Sequence, residues 1–166
     1  ILVLRLINIW GSGKAHEDYF KQAMRMYKKV MDNPDLAKQP IGVADVGSGQ
    51  GIYLLRLEQF TRGKDPKTGK PNTLRGQHLE ESPLLWAGID YNREARETTD
   101  KTLTEAGIKH VVAFGDIRDP AGIAKLFKEE FGLDYGKFMH VRSVLDHNRP
   151  YALPVKQTGQ PPSQSK

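Results

Sequence analysis

The residues of this 166-residue chain whose types and spacing could do chemistry begin with Asp45-Val-Gly-Ser-Gly-Gln-Gly51. An apolar run over residues 41–46 carries one acid, Asp45, and breaks into glycines at 47, 49 and 51. Glycine lets a backbone turn sharply and approach a ligand with no Cβ in the way. Asp45, just before that turn, stands where a carboxylate can accept hydrogen bonds from a ligand's amine or hydroxyls. Three other polar groups follow apolar runs in the same manner. Asp90, then Tyr91, closes the run over 84–89. Asp116 and Ile117 follow 111–114 and Gly115, and Asp146-His147-Asn148-Arg149 follows 138–145. The last set joins a carboxylate to an imidazole that titrates near neutrality, which suits a general base with an orienting partner. The same two groups are suitable ligands for iron or manganese.

The elements that must position these groups alternate between strand and helix. Helical spacing resumes at Ile52, Leu54, Leu55 and Leu57, so the glycine segment reads as strand end, tight turn and helix start. Upstream, Tyr19, Phe20, Ala23, Met24, Tyr27, Val30 and Met31 make one apolar stripe of a helix over 14–31, ended by Asp32-Asn33-Pro34. The first core helix is expected over about 50–60, a second over 93–106 stopped by Gly107, and a third over 120–131 with Pro120 in its first turn. Strands are expected at 41–46, 84–89, 109–114 and 138–145. This order predicts an α/β fold, a mostly parallel sheet with flanking helices and ligands at the strands' carboxyl ends. The 47–51 loop, Asp90, Asp116 and the 146–151 loop then share one rim. The organisation is a lead-in and amphipathic helix over 1–40, a binding core over 41–151 and a tail over 152–166. The core carries a Gly/Pro/Lys-rich insertion at 61–83, and the tail's Gln, Pro, Ser and Lys content predicts disorder.

The glycine spacing narrows the ligand. A dinucleotide fingerprint is Gly-x-Gly-x-x-Gly. Here the pattern is Asp-x-Gly-x-Gly-x-Gly, which disfavours a nicotinamide dehydrogenase and resembles motif I of the class I S-adenosylmethionine-dependent methyltransferases. The resemblance extends over roughly residues 14–151 and implies a Rossmann-like fold. It implies that Asp45, Gly47, Ser48, Gly49 and Gly51 hold the methionine and ribose part of S-adenosylmethionine. Asp90, with Tyr91 beside it, would bind the ribose hydroxyls, and Asp116 with the Ile117 amide would read the adenine. The chain departs from the family in length: the gap from Asp45 to Asp90 exceeds the roughly 20 residues of a compact unit. Only four strands are evident, so the fold is expected to lack its C-terminal strands, which puts independent activity in doubt.

A narrower resemblance rests on two stretches, Trp10-Gly-Ser-Gly-Lys-Ala-His16 and His140-Val-Arg-Ser-Val-Leu-Asp-His-Asn-Arg-Pro-Tyr151. They look similar to methyltransferase domains embedded in polyketide synthases, some of which use a mononuclear iron. This implies C-methylation of a carrier-bound malonyl or β-keto thioester, with an acyl carrier protein or neighbouring synthase domains as partners. Asp146 and His147 would then be catalytic, either as orienter and base or as ligands of iron or manganese, with His16 or a residue outside the chain as third ligand. Such a metal would stabilise an enolate as a Lewis acid. Two other readings stand beside it: a non-catalytic or truncated cofactor-binding module, and a nucleic-acid methyltransferase. The second lacks the Asn/Asp-Pro-Pro-Tyr/Phe loop of amino-group methylating enzymes.

Composition sets outer bounds. The net charge of +5 and pI near 9.4 are mild. The local basic excess at Arg62, Lys64, Lys67, Lys70 and Arg75 lies in the Gly/Pro-rich insertion and reads as a solvated loop more than a nucleic-acid patch. Zero cysteines exclude disulfides and thiolate metal sites and fit a cytoplasmic protein. Residues 1–10 are apolar, yet too short to span a bilayer, interrupted by Arg5 and unlike a signal peptide, so no membrane partner is expected. With no initiator Met, the sequence is expected to be a piece of a longer chain. His140, inside an apolar run, reads as a satisfied sheet histidine, and His78 and His110 receive no role. Arg149 is open between pairing with a substrate carboxylate or carrier phosphate and a surface salt bridge.

Overall fold

The four apolar runs fall side by side in one all-parallel sheet. The computed structural model describes residues 17–142, with side chains from Gln22 onward. The strands are β1 (Gly42–Val46), β2 (Leu85–Asp90), β3 (His110–Phe114) and β4 (Phe138–Val141). The helices are α1 (Glu17–Met31), α2 (Ile52–Arg62), the short α3 (Leu74–Gln77), α4 (Arg93–Glu105) and α5 (Pro120–Phe131). Strand order is β3-β2-β1-β4, with Asp45 opposite both Gly88 and Val141. The chain steps outward from β1 to β3, and α5 then returns it to the other side of β1. In open parallel sheets ligands bind outside the carboxyl ends at such a reversal.

Successive strand residues face opposite sides. Val43 and Trp86 pack with Tyr27 and Met31 of α1, Leu54 and Leu57 of α2 and Leu103 of α4. Ala44, Val46, Ala87 and Ile89 pack with Ile123 and Phe127 of α5 and with Tyr135 and Phe138. Both faces are therefore covered, which is why β1 and β2 read as near-continuous apolar runs. By the same alternation Asp45, Gly88 and Asp90 share the face of Val43 and Trp86, toward α2 and α4.

Helix ends follow capping chemistry. Asn92 Oδ1 accepts from Glu94 N at 2.8 Å to start α4. Asp119 Oδ1 accepts from Gly122 N at 2.8 Å to start α5, which ends at the left-handed Gly132. α2 begins and ends two residues later than about 50–60, because Gly51 is its left-handed N-cap and Thr61 remains inside it. Buried Thr61 Oγ1 donates to Leu57 O at 2.7 Å and accepts from the Tyr27 hydroxyl. The α1 stripe is packing: Tyr27 and Met31 are fully buried, whereas Val30 is partly exposed. Residues 14–16 of that expected helix, 143–145 of the fourth strand, the opening 1–10 and the tail 152–166 lie outside the described residues. Among the described residues no helix is long and apolar enough to cross a membrane.

The insertion corrects one expectation. Arg62, Lys64, Lys67 and Lys70 are exposed, as a solvated loop requires, but Arg75 is only 2% exposed. Its guanidinium donates to Pro40 O and Ser82 Oγ, tying α3 to the segments that enter β1 and β2. Thr73, also buried, caps α3 by accepting from Gly76 N at 2.9 Å. Charge alone marked Arg75 as surface; the acceptors that take its terminal nitrogens lie 7 and 35 residues away, and its Nε is buried with no partner among the described residues.

Candidate functional site

The turn after β1 is built from three left-handed glycines, Gly47 (φ 85°), Gly49 (φ 57°) and Gly51 (φ 72°). A side chain in this region costs about 1–2 kcal/mol, so the alternate spacing is a backbone requirement. Gly47 N and Ser48 N both donate to Ile89 O, at 2.7 and 3.2 Å, which folds the turn over the end of β2. Thr99 of α4, fully buried, fixes it from below: its Oγ1 donates to Gly49 O at 3.1 Å and lies 3.0 Å from Ser48 Oγ. Gly88 makes room for this contact, since a Cβ there would stand 2.5 Å from Thr99 Cγ2. At Gly51 a Cβ would stand 3.1 Å from the same methyl group. Gly49 differs. A Cβ there would meet nothing closer than Gly47 O at 4.0 Å, so the space above it is a cradle that a side chain would fill.

Asp90 connects this turn to the end of β2. Its Oδ2 accepts from Gly49 N at 3.1 Å and its Oδ1 from Asn92 N at 2.8 Å. A carboxylate has about four acceptor positions, so two backbone amides orient the group and leave one position on each oxygen. That pair of adjacent acceptors matches a vicinal diol. Beside it Tyr91 and Phe114 are 67% and 50% exposed, with ring centroids 5.5 Å apart. The Arg96 guanidinium lies 5.4 Å from the Phe114 centroid and donates to Asp90 O and Tyr91 O, both at 3.0 Å. These exposed rings stand at the rim, where a flat apolar group would find contact area.

Asp116 follows β3 in a different state. Arg118 N donates to its Oδ1 at 2.9 Å, Arg118 Nε lies 3.0 Å from both carboxylate oxygens, and Nη2 donates to Oδ2 at 2.6 Å. The Arg118 side chain beside it holds the carboxyl down at about 2. Ile117 packs against the α5 side of the core, and among the described residues its N–H has no acceptor.

The structure thus brings Gly47, Ser48, Gly49, Gly51, Asp90, Tyr91, Asp116 and Ile117 to the carboxyl rim. Asp45 lies just inside, fully buried. The Ser48 hydroxyl faces Thr99, and its backbone N–H and carbonyl are taken by Ile89 O and Gly51 N, so buried Ser48 shapes the turn from within. Asp146, His147 and Arg149, with His16, lie outside the described residues. Among those described, no group of three His, Asp or Glu could hold a metal ion. His140 Nε2 donates to Tyr135 O at 2.9 Å and the ring stacks on that of Tyr135, as a satisfied sheet histidine would. Sequence reading missed Thr99, Gly88, Arg96 and Arg118. Thr99 sits in a polar helix with no motif, and only the fold shows that it meets the glycine turn.

Over residues 1–166 the chain matches a methyltransferase family model, described as the AprA MT2-like domain. No curated protein matches it.

Proposed function

Because the chain belongs to the AprA MT2-like methyltransferase family, we propose that its carboxyl rim binds S-adenosylmethionine for C-methylation of a carrier-bound malonyl or β-keto thioester. The observation that carries the cofactor reading is Asp90, oriented by two amides, with an acceptor position spare on each oxygen. In this reading Asp90 accepts both ribose hydroxyls, and the open cradle at Gly49 admits the ribose and methionine end. Asp45, buried beneath that end, favours a cationic amine, since burial strengthens attraction between opposite charges. Tyr91 and Phe114 offer ring faces to the adenine edge of the site, and Asp116 with the Ile117 amide reads the base. When bound, the sulfonium supplies an electrophilic methyl group and its own leaving group.

The chain's remaining task is to hold the acceptor in line and remove its α-proton. We assign that task to His147, with Asp146 as its orienting partner, in the stretch that follows β4 in sequence. The two would also suit iron or manganese as a carboxylate and an imidazole ligand, and His16 is the candidate third ligand. An acyl carrier protein or neighbouring synthase domain is the proposed partner. The buried, anchored Arg75 removes one of the five cations that favoured nucleic acid.

The test is incubation with methyl-labelled S-adenosylmethionine and a malonyl-loaded carrier, followed by mass spectrometry of the acyl group. Label on the α-carbon, lost in His147→Ala, is expected. Label on nucleic acid instead would replace the substrate assignment. Cofactor binding without any transfer, with and without added ferrous iron or manganese, would favour the non-catalytic module, a reading that the four-stranded sheet of the described residues supports.

A further inference from the structure

We propose that Arg118 is a latch on the adenine subsite: it occupies the Asp116 carboxylate and must swing away before an adenine amino group can be received. The inference rests on the S-adenosylmethionine reading above. Four contacts reach the Asp116 oxygens, from Arg118 N and Nε to Oδ1 and from Arg118 Nε and Nη2 to Oδ2. These come from three N–H groups, the Nε hydrogen being shared between the two oxygens, so of the roughly four acceptor positions of a carboxylate about one is left, and the guanidinium lies across it.

The arrangement is releasable. The Arg118 side chain is 84% exposed and that of Asp116 only 23%, so the guanidinium lies over the carboxylate on its solvent side. The backbone N–H of Arg118 holds Oδ1 at 2.9 Å independently of the side chain. Withdrawal of the guanidinium removes two of the three donors, leaving about three of the four positions open without reorienting the carboxylate. An exposed ion pair of this kind is weak enough for a bound ligand to displace. The Asp90 carboxylate is held by two amides and, among the described residues, by no cation, so it has no such latch there. The two ends of the nucleoside thus meet one open and one closed acceptor. Opening the second opposes binding by the free energy of the Arg118 clasp.

The experiment is calorimetric titration of S-adenosylhomocysteine, and of its inosine counterpart with an oxygen replacing the 6-amino group, into wild type and Arg118→Ala. Arg118→Ala is expected to bind S-adenosylhomocysteine about three- to fivefold more tightly, the scale of an exposed ion pair. The inosine counterpart should bind both proteins equally. In an Asp116→Asn background, removal of Arg118 should change neither affinity. Unchanged or weaker binding of S-adenosylhomocysteine by Arg118→Ala, with wild-type binding intact, overturns the latch and leaves the cofactor reading standing. Absence of binding to both folded proteins overturns the cofactor reading, and the latch with it.

Discussion

The two ends of the sheet use polar residues in opposite ways. At the amino end Arg75 donates to Pro40 O and Ser82 Oγ, and Gln39 Nε2 donates to Met31 O at 3.0 Å and Asn33 O at 2.7 Å. Asn72 Nδ2 donates to Phe60 O at 3.0 Å. These donors reach carbonyls and a hydroxyl of the chain itself, closing the insertion against the strands' entry, while Arg75 Nε and Gln39 Oε1 are buried with no partner among the described residues. At the carboxyl end the backbone does the orienting: Gly49 N and Asn92 N fix Asp90 while its outer acceptor positions remain. Burial of a polar group is thus no mark of function in this fold. Spare, oriented hydrogen-bonding capacity beside an open cradle is, and it occurs at the topological reversal where ligands of parallel sheets bind.

Mutations can break or sharpen this contrast. The largest stability loss is expected for Arg75→Ala, about 2–4 kcal/mol from the vacated volume and the acceptors left buried. Urea unfolding should show it, while the affinity of the folded fraction for S-adenosylhomocysteine stays unchanged. A matching loss of affinity would mean that the two ends are coupled. Gly49→Ala should cost about 1–2 kcal/mol, from its left-handed φ alone, since no neighbour blocks a Cβ. Binding should fall further than stability, because the added methyl enters the cradle. Equal losses in both would remove the argument for a ligand above Gly49. Thr99→Val keeps the shape and removes the bond to Gly49 O, for about 1 kcal/mol. Thermal unfolding and calorimetry together would show whether the loosened turn also weakens binding.

The smallest effect is a titration. Asp116 is held at about 2, below its ordinary 3.8, by the Arg118 hydrogen bonds. A depressed carboxyl contributes stability that is present above the ordinary value and lost as pH falls through the folded one. Carbon-detected NMR of Asp116 should therefore show no titration between pH 5 and pH 3 in wild type, and a midpoint moved up toward 3.8 in Arg118→Ala.

The sequence made much of this visible because the signals were local. Glycines at alternate positions after an apolar run announced the turn, and Asp45, Asp90 and Asp116 each stand at or just past a strand end. Gly107 and Pro120 marked helix ends through chemistry that acts within a few residues, although the caps Asn92, Asp119 and Gly132 were equally local and were not read. What was hidden depends on residues distant in sequence. Thr99 meets Ser48 and Gly49 only because α4 lies over β2, across the gap left by Gly88. Arg75 looked like one more loop cation until Pro40 and Ser82 were found beside it. Arg118, two residues from Asp116, was near enough to foresee. Spacing alone, however, does not tell whether an arginine turns toward its neighbouring carboxylate or toward solvent.

The central claim is that Asp90 presents an oriented carboxylate to a ribose. Calorimetric titration of S-adenosylhomocysteine into wild type and Asp90→Ala tests it most directly, with circular dichroism confirming that both are folded. Two charge-assisted hydrogen bonds at about 1.5–3 kcal/mol each predict saturable wild-type binding that weakens by about 100-fold or more in the variant. Equal affinities in the two proteins, or no binding by folded wild type, would contradict the account.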